Sequence, residues 1–147
     1  IIKDGAKMVN AVSNSIVPKF TIVVGNSYGA GNYAMCGKAF DPRFIVSWPT
    51  AKIAVMGGEQ AGNVLLQIQK SAAKKKGEKV ETKKEEQLLN EIKEKYDVQT
   101  TPTYAAARMW IDAVIDPTNT RKWISMGLAL ADHAPIEKKF SMGILQV

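Results

Sequence analysis

Residues 20–24, Phe-Thr-Ile-Val-Val, form a continuous β-branched apolar run that ends at Gly25, and small residues lead from there towards a helix. Such runs are typical of short strands buried on both faces, as in parallel sheets. Residues 44–48 and 52–56 repeat the pattern, and the latter run into the pair Gly57-Gly58. With helical segments between the strands and no two-residue hairpin signal, the chain is predicted to have an α/β fold with a largely parallel core.

The rest of the chain is predicted to be mainly helical. Apolar residues recur at helical spacing over residues 1–16, and Pro18 ends that helix because the residue before a proline is biased away from helical geometry. A side chain that can cap a helix stands before a proline at two places, which is a signal for a helix start. The further predicted elements are a helix at 31–38, a helix from about 59, helix starts at Thr101-Pro102 and Asp116-Pro117, a strand at 111–115 and a helix break at Gly127.

The net charge of +6 does not indicate a nucleic-acid partner. Nine of the 20 Lys and Arg residues lie between residues 70 and 95, but six glutamates lie there too, and the tract lacks the interleaved aromatic residues of a single-strand binding surface. It is predicted to form two exposed helical pieces around Gly77. The lone cysteine, Cys36, provides neither a disulfide nor a metal site, so we expect no metal and a reducing, cytoplasmic location.

The run Gly25-Asn26-Ser27-Tyr28-Gly29 spells G-x-S-x-G after a strand, the pattern of a nucleophile elbow. Asp116 or Asp132, followed by His133, would complete the chain order Ser, Asp, His. Against this hypothesis, 147 residues are few for an α/β-hydrolase, and a histidine near Pro135 is more typical of a helix end. A serine hydrolase that uses Ser27 is therefore the alternative function.

The same turn has a second interpretation, based on its backbone. Gly29, Ala30 and Gly31 leave little side-chain bulk where the strand passes into the helix, so a ligand could approach the main chain. The first N–H groups of a helix lack internal partners and can hold an oxyanion or a polarised carbonyl. Gly57 and Gly58 repeat the arrangement. From spacing alone, close packing of a helix on a strand is slightly favoured as the explanation of the first turn. A tight turn in which Glu59 serves the first helical turn explains Gly57 and Gly58 equally well.

Two side chains beside the first glycine turn could also contact a ligand. Asn32 and Tyr33 could orient a polar group, although Tyr33 and Met35 are more typical of residues that pack in the core. The glycine spacing does not match G-x-G-x-x-G, so a dinucleotide site is not predicted.

Residues 26–37, N-S-Y-G-A-G-N-Y-A-M-C-G, closely resemble biotin-dependent carboxyltransferase subunits of the methylcrotonyl-CoA carboxylase β and glutaconyl-CoA decarboxylase α type. The resemblance extends over almost the whole chain. Ser125 to Gly127 and His133 to Ile136 are more similar to the decarboxylase branch. The other matching segments are Asp41-Pro42-Arg43-Phe44, Trp48-Pro49, Val55 to Ala61, Tyr104 to Arg108, Ile115-Asp116-Pro117 and Thr120-Arg121.

The resemblance implies a crotonase/ClpP-like spiral, of which residues 1–147 form a single C-terminal carboxyltransferase domain fragment with a Lys/Glu-rich insertion at about 70–95. It implies biotin, carried on a partner domain or subunit, as the cofactor. The family's oxyanion pair for the biotin carbonyl corresponds to the backbone of Ala30 and Gly31, written Ala-Gly here where the family often has Gly-Ala. The residues expected to line the pocket are Tyr28, Gly29, Asn32, Gly57 and Gly58.

The resemblance also implies the partners. These are an acyl-CoA substrate, a biotin carrier protein, and either biotin carboxylase or membrane sodium-pump subunits, through which the protein would associate with a membrane complex. We expect a homo-oligomer of carboxyltransferase subunits and no activity from this chain alone. A non-catalytic assembly module is the remaining alternative.

Overall fold

The computed structural model describes residues 2–76 and 82–134, together with residues 136 and 139. Pairs of short strands are separated by helices along the first half of this length, and helices predominate in the second half. Short 3-10 turns lie at Lys38–Phe40 and Pro117–Asn119. The main elements are α1 (Ile2–Asn14), β1 (Phe20–Val23), β2 (Asn26–Tyr28), α2 (Gly29–Ala34), β3 (Phe44–Ser47), β4 (Lys52–Ala54), α3 (Gly58–Lys76), α4 (Thr82–Gln99), α5 (Pro102–Ala107), β5 (Ala113–Val114) and α6 (Thr120–Asp132).

The strands form two parallel sheets, which confirms the predicted α/β architecture. One sheet has the order β1-β3-β5 and the other pairs β2 with β4. In the first, Phe20 lies opposite Phe44; in the second, Tyr28 lies opposite Ala54. Because the strands of each pair are parallel, their carboxyl ends meet at one edge of the sheet.

The prediction of one strand followed by a glycine turn at residues 20–29 was incomplete. Residues 26–28 form a strand of their own, β2, in the other sheet. The chain changes sheets after Val23, which is buried, whereas Val24 is 52% exposed. Two backbone hydrogen bonds hold the chain at the point where it passes from one sheet to the other: Trp48 N donates to Val23 O (2.9 Å), and Lys52 N donates to Gly25 O (3.2 Å).

The helix predicted at 31–38 begins and ends earlier than expected. α2 spans Gly29–Ala34, and Met35 N donates the closing bond to Gly31 O at 3.1 Å. Cys36 then takes a φ of 68°, a left-handed conformation that stops the helix. The strand predicted at 111–115 is likewise shorter, since only Ala113 and Val114 belong to β5.

The hydrophobic core packs residues in or next to the strands against Ala105 of α5. The core residues are Val23, Ile45, Ala51, Ile53, Ala105 and Ile111.

Both predicted capping signals are confirmed: Thr101 Oγ1 accepts from Tyr104 N, and Asp116 Oδ1 accepts from Thr118 N at 2.8 Å.

Gly127 does not break the last helix, contrary to the prediction. It lies inside α6 and is buried against two aromatic rings. A Cβ at this position would come 2.7 Å from Phe44 Cε1 and 3.0 Å from Phe20 Cε1. The glycine is there because the helix packs closely on these rings.

The charged tract at 70–95 is helical on both sides of its centre, as expected, whereas Gly77 itself lies outside the described residues. α3 and α4 pack against each other. Ile92 of α4 is buried beside Gly62 of α3, and Lys70 Nζ lies 2.9 Å from a carboxylate oxygen of Glu85. Over the described residues, no helix is both long and apolar enough to cross a membrane.

Candidate functional site

Two glycine turns lie side by side at the carboxyl ends of β2 and β4. β2 ends at Tyr28 and leads directly into α2, while β4 ends at Ala54 and leads through Gly57 into α3. Since Tyr28 is in register with Ala54, both helices begin at the same sheet edge. A Cβ on Gly57 would lie 3.7 Å from Tyr28 Cε2. The structure thus brings together the two turns that the sequence singles out.

Gly29 fixes how closely the turns approach each other. Its φ is +51°, and a Cβ there would lie 2.7 Å from the backbone oxygen of Val55. No other residue fits, because the conformation is unfavourable for a side chain and the atom in the way belongs to the main chain. The backbone of the first turn therefore contacts the backbone of the second.

Ala30 and Gly31 occupy the first turn of α2. The N–H groups in a first turn have no partner inside the helix, and the cap residue Tyr28 makes no side-chain hydrogen bond to them. Both residues are exposed, and a Cβ on Gly31 would meet nothing within 4 Å. These N–H groups are therefore accessible and can donate to a carbonyl oxygen or an oxyanion.

Asn32 is held by a neighbour on the preceding strand. Ser27 Oγ donates to Asn32 Oδ1 at 3.1 Å. The prediction that Tyr33 and Met35 pack in the core was wrong, because they are 54% and 65% exposed. Met35 lies just beyond α2, which buries none of its residues, and Tyr33 lines the first cavity, described next.

A cavity of about 540 Å³, the first cavity, lies beside α2. Gly29 and Asn32 line one side of it. Lys38 also lines it, and its Nζ lies 3.5 Å from Asp112 Oδ1. The volume is within the range usual for small-molecule sites, about 300–1,000 Å³. Its apolar and aromatic walls include Val23, Ile45, Ile53, Tyr96, Tyr104 and Trp110.

A second cavity, of about 480 Å³, lies between β4 and the α3–α4 hairpin. Tyr28 and Gly58 line it, together with polar residues such as Lys52, whose Nζ lies 4.0 Å from Asp97 Oδ1. Of the predicted site residues, Gly29 and Asn32 thus line the first cavity, and Tyr28 and Gly58 line the second. Ala30, Gly31 and Gly57 line neither cavity.

The walls that α4 and α5 provide were missing from the sequence predictions. Tyr96 and Thr100 line both cavities, and Tyr104 and Trp110 face the first. Tyr104 and Trp110 contact each other edge to face, with ring centroids 6.0 Å apart. These residues lie some 70 positions after the first glycine turn, so no local spacing could connect them with it. The cluster of aromatic residues at 96–110 was the available signal.

The hydrolase alternative has no support from these contacts. Ser27 donates to an amide oxygen, which is not a base, and His133 is an exposed residue at the end of α6. Asp116 serves as a cap instead: hydrogen bonds from the side chain and backbone of Thr118 lower the pKa of its carboxyl group. Among the residues described, no three His, Cys, Asp or Glu side chains come together as metal ligands.

The sequence matches a family model, the carboxyl transferase domain, over residues 1–142. It is 46% identical, over 94% of its length, to the biotin-dependent 3-methylcrotonyl-coenzyme A carboxylase beta1 subunit of Mycobacterium tuberculosis. It is 47% identical, over 92% of its length, to the methylcrotonoyl-CoA carboxylase beta chain of Dictyostelium discoideum. These matches cover 26% and 23% of the two relatives. The chain thus spans about a quarter of their length.

Comparison with solved structures finds similar subunits. The geranyl-CoA carboxylase beta subunit of P. aeruginosa superposes with a TM-score of 0.76 and 44% identity, over 98% of this chain and 30% of that one. The transcarboxylase 12S subunit, solved as a hexamer with methylmalonyl-coenzyme A bound, gives 0.75 and 33%, over 98% and 26%. The likeness confirms the predicted crotonase-like fold.

Proposed function

The chain belongs to the carboxyl transferase domain family, and from that premise we propose that it is part of a biotin-dependent acyl-CoA carboxyltransferase of the methylcrotonyl-CoA carboxylase beta type. The observation that carries the proposal is the family match over residues 1–142. Since the chain spans about a quarter of its relatives, the activity belongs to the longer protein. Residues 1–147 are proposed to be one C-terminal domain fragment, to contribute the biotin side and to be inactive alone.

The described residues fit a bound carbonyl oxygen. Ala30 and Gly31 present N–H groups at an open helix start, and the first cavity beside them has room for a small molecule. When bound, biotin supplies a ureido nitrogen that carries the carboxyl group. The role proposed for Ala30 and Gly31 is to donate to the ureido oxygen as negative charge builds on it. Donors that are already in place stabilise this charge without reorganisation, typically by about 3 kcal/mol each.

The other predicted residues are assigned to the same half of the active site. Gly29 keeps the two turns in contact, and Asn32 offers an amide to the first cavity. Tyr28, Gly57 and Gly58 are proposed to shape the neighbouring edge, where Tyr28 and Gly58 line the second cavity. The residues that bind the acyl-CoA oxygen are proposed to lie outside this chain.

The partners follow from the relatives. These are named as carboxylase and transcarboxylase subunits, which favours the carboxylase branch over the decarboxylase branch. We therefore propose a biotin carrier protein, a biotin carboxylase and further copies of the subunit as partners, and an acyl-CoA as substrate. The names of these relatives give no support for membrane sodium-pump subunits, which are therefore not among the proposed partners.

The test uses the full-length subunit. Purified protein is incubated with free biotin and a panel of carboxylated CoA thioesters, and loss of the CoA-bound carboxyl group is followed with time. The proposal predicts biotin-dependent transfer from at least one thioester, and none from residues 1–147 alone. If the full-length protein transferred from no thioester but still self-associated, the assembly-module alternative would replace the proposal.

A further inference from the structure

Ser27 has a rigidly placed backbone. It is the middle residue of β2 and lies in register with Ile53 of β4, which is only 5% exposed. Its hydroxyl group therefore projects from a fixed strand. The group's partner, Asn32, is the fourth residue of α2, and the hydrogen bond between them is 3.1 Å long.

This bond spans the turn that carries the proposed donors. α2 has only six residues, and a helix of that length is not stable by itself. The contact of Gly29 with Val55 O also restrains this turn, so loss of the Ser27–Asn32 bond alone should leave the N–H groups of Ala30 and Gly31 in place. Ser27 and Asn32 thus join the two ends of the segment that contains Ala30 and Gly31.

The bond also settles which part of the Asn32 amide remains available. With Oδ1 engaged by Ser27, Nδ2 keeps two N–H donors, and within the described residues neither has a partner. Asn32 lines the first cavity together with Gly29. The free donors therefore belong to a residue on the cavity wall.

We propose that Ser27 is a positioning residue, whose hydroxyl group holds the Asn32 amide so that Nδ2 donates to a carbonyl or carboxylate oxygen of a ligand in the first cavity. This inference rests on the proposed function and gives a role to the serine of the G-x-S-x-G pattern. Asn32 touches the ligand, and Ser27 acts through Asn32.

The test is a double-mutant cycle in the full-length protein, with free biotin as the varied substrate. Ser27→Ala and Asn32→Ala are each expected to raise KM for biotin roughly fivefold to tenfold, the effect of one lost hydrogen bond, with kcat within about twofold. Ser27→Thr keeps the hydroxyl group and should restore the wild-type KM. The double variant should be no worse than the poorer single variant, because both changes remove one unit.

Asn32→Asp separates the two halves of the role. A carboxylate can still accept from Ser27 but has no N–H to donate, so KM should rise at least as much as in Asn32→Ala. Ser71→Ala is the matched control. Among the described residues, its hydroxyl group bonds to Gln67 O alone, on the exposed face of α3 at 2.8 Å, and its loss should leave KM unchanged.

Three results would overturn the positioning role: increases in KM that multiply in the double variant, a wild-type KM in Ser27→Ala, or a KM in Ser27→Thr that stays raised. In each case, carboxyl transfer by the wild type would still support the proposed function. Melting temperatures of the wild type, the two alanine variants and the double variant test the bond without any activity. We expect the double variant to melt no lower than the worse single variant. Additive drops would show that the two residues are not coupled.

Discussion

Replacing Gly29 with alanine tests the contact that sets the geometry of the site. The glycine has a φ of +51°, and an alanine in this left-handed region is disfavoured by about 1–2 kcal/mol. Its Cβ would also lie 2.7 Å from Val55 O, where ordinary contact begins near 3.4 Å. Val55 O is a main-chain atom beside β4, so it cannot move aside as a flexible side chain would.

The strain translates into a loss of rate. Overpacking a fixed site typically costs about 1–3 kcal/mol, so the two effects together amount to about 2–5 kcal/mol if the native turn is kept. We expect the turn to move instead, by several tenths of an ångström or more, which displaces the N–H groups of Ala30 and Gly31. A displacement near 1 Å at such a site can reduce kcat by about 10²-fold.

The assay is the initial rate of carboxyl transfer by the full-length protein at saturating substrate. Gly25→Ala is the matched control, because Gly25 lies in the same segment, has no positive φ and has open space where its Cβ would be. It should keep a rate close to wild type. Equal rates for Gly29→Ala and Gly25→Ala would refute the reasoning, since the backbone contact at Val55 would then have no role in the site.

Two further predictions concern stability. Gly127→Ala should lower the free energy of unfolding by up to about 2 kcal/mol, because overpacking against Phe44, whose Cε1 would lie 2.7 Å from the new Cβ, costs about 1–3 kcal/mol and the better helix propensity of alanine offsets about 1 kcal/mol. In Gly5→Ala the new Cβ would meet none of the described residues within 4 Å, so this change should be neutral or stabilising. Urea titration measures both variants, and a Gly5→Ala variant less stable than Gly127→Ala would contradict the prediction. The hydrogen bonds from Thr118 lower the pKa of the Asp116 carboxyl group, so they contribute stability at pH values above its ordinary pKa, and this stability is lost as the pH falls through the lowered pKa. The free energy of unfolding of the wild type should therefore exceed that of the Asp116→Asn variant by less as the pH is lowered. A difference that grew on acidification would contradict the role assigned to these hydrogen bonds.

The sequence predicted the elements that depend on local chemistry. Strands β1, β3 and β4 come from continuous apolar runs, and the starts at Thr101-Pro102 and Asp116-Pro117 come from capping side chains. β2 could not be found in this way. It has three residues, Asn-Ser-Tyr, and exists because β4 offers it a parallel partner.

The same distinction between local and long-range causes applies to the candidate site. The glycine turns were visible as motifs, but their contact through Gly29 and Val55 depends on the pairing of two strands. The cavity wall from Tyr96 to Trp110 comes from distant helices. Gly127 was misread because its local pattern resembles a helix break, whereas the real constraint is the pair of rings at Phe20 and Phe44.

The proposed mechanism depends on a backbone N–H group in the first turn of α2 that stabilises charge during carboxyl transfer. Replacing Ala30 by lactic acid in the full-length protein exchanges that N–H for an ester oxygen and leaves the methyl group in place. Lactic acid at Ala72, exposed in α3, is the matched control for an ester in a helix. We predict that kcat for transfer between biotin and the CoA thioester falls by about 10²–10³-fold with the ester at residue 30 and changes little with the ester at residue 72. Equal rates for the two esters would contradict the mechanism.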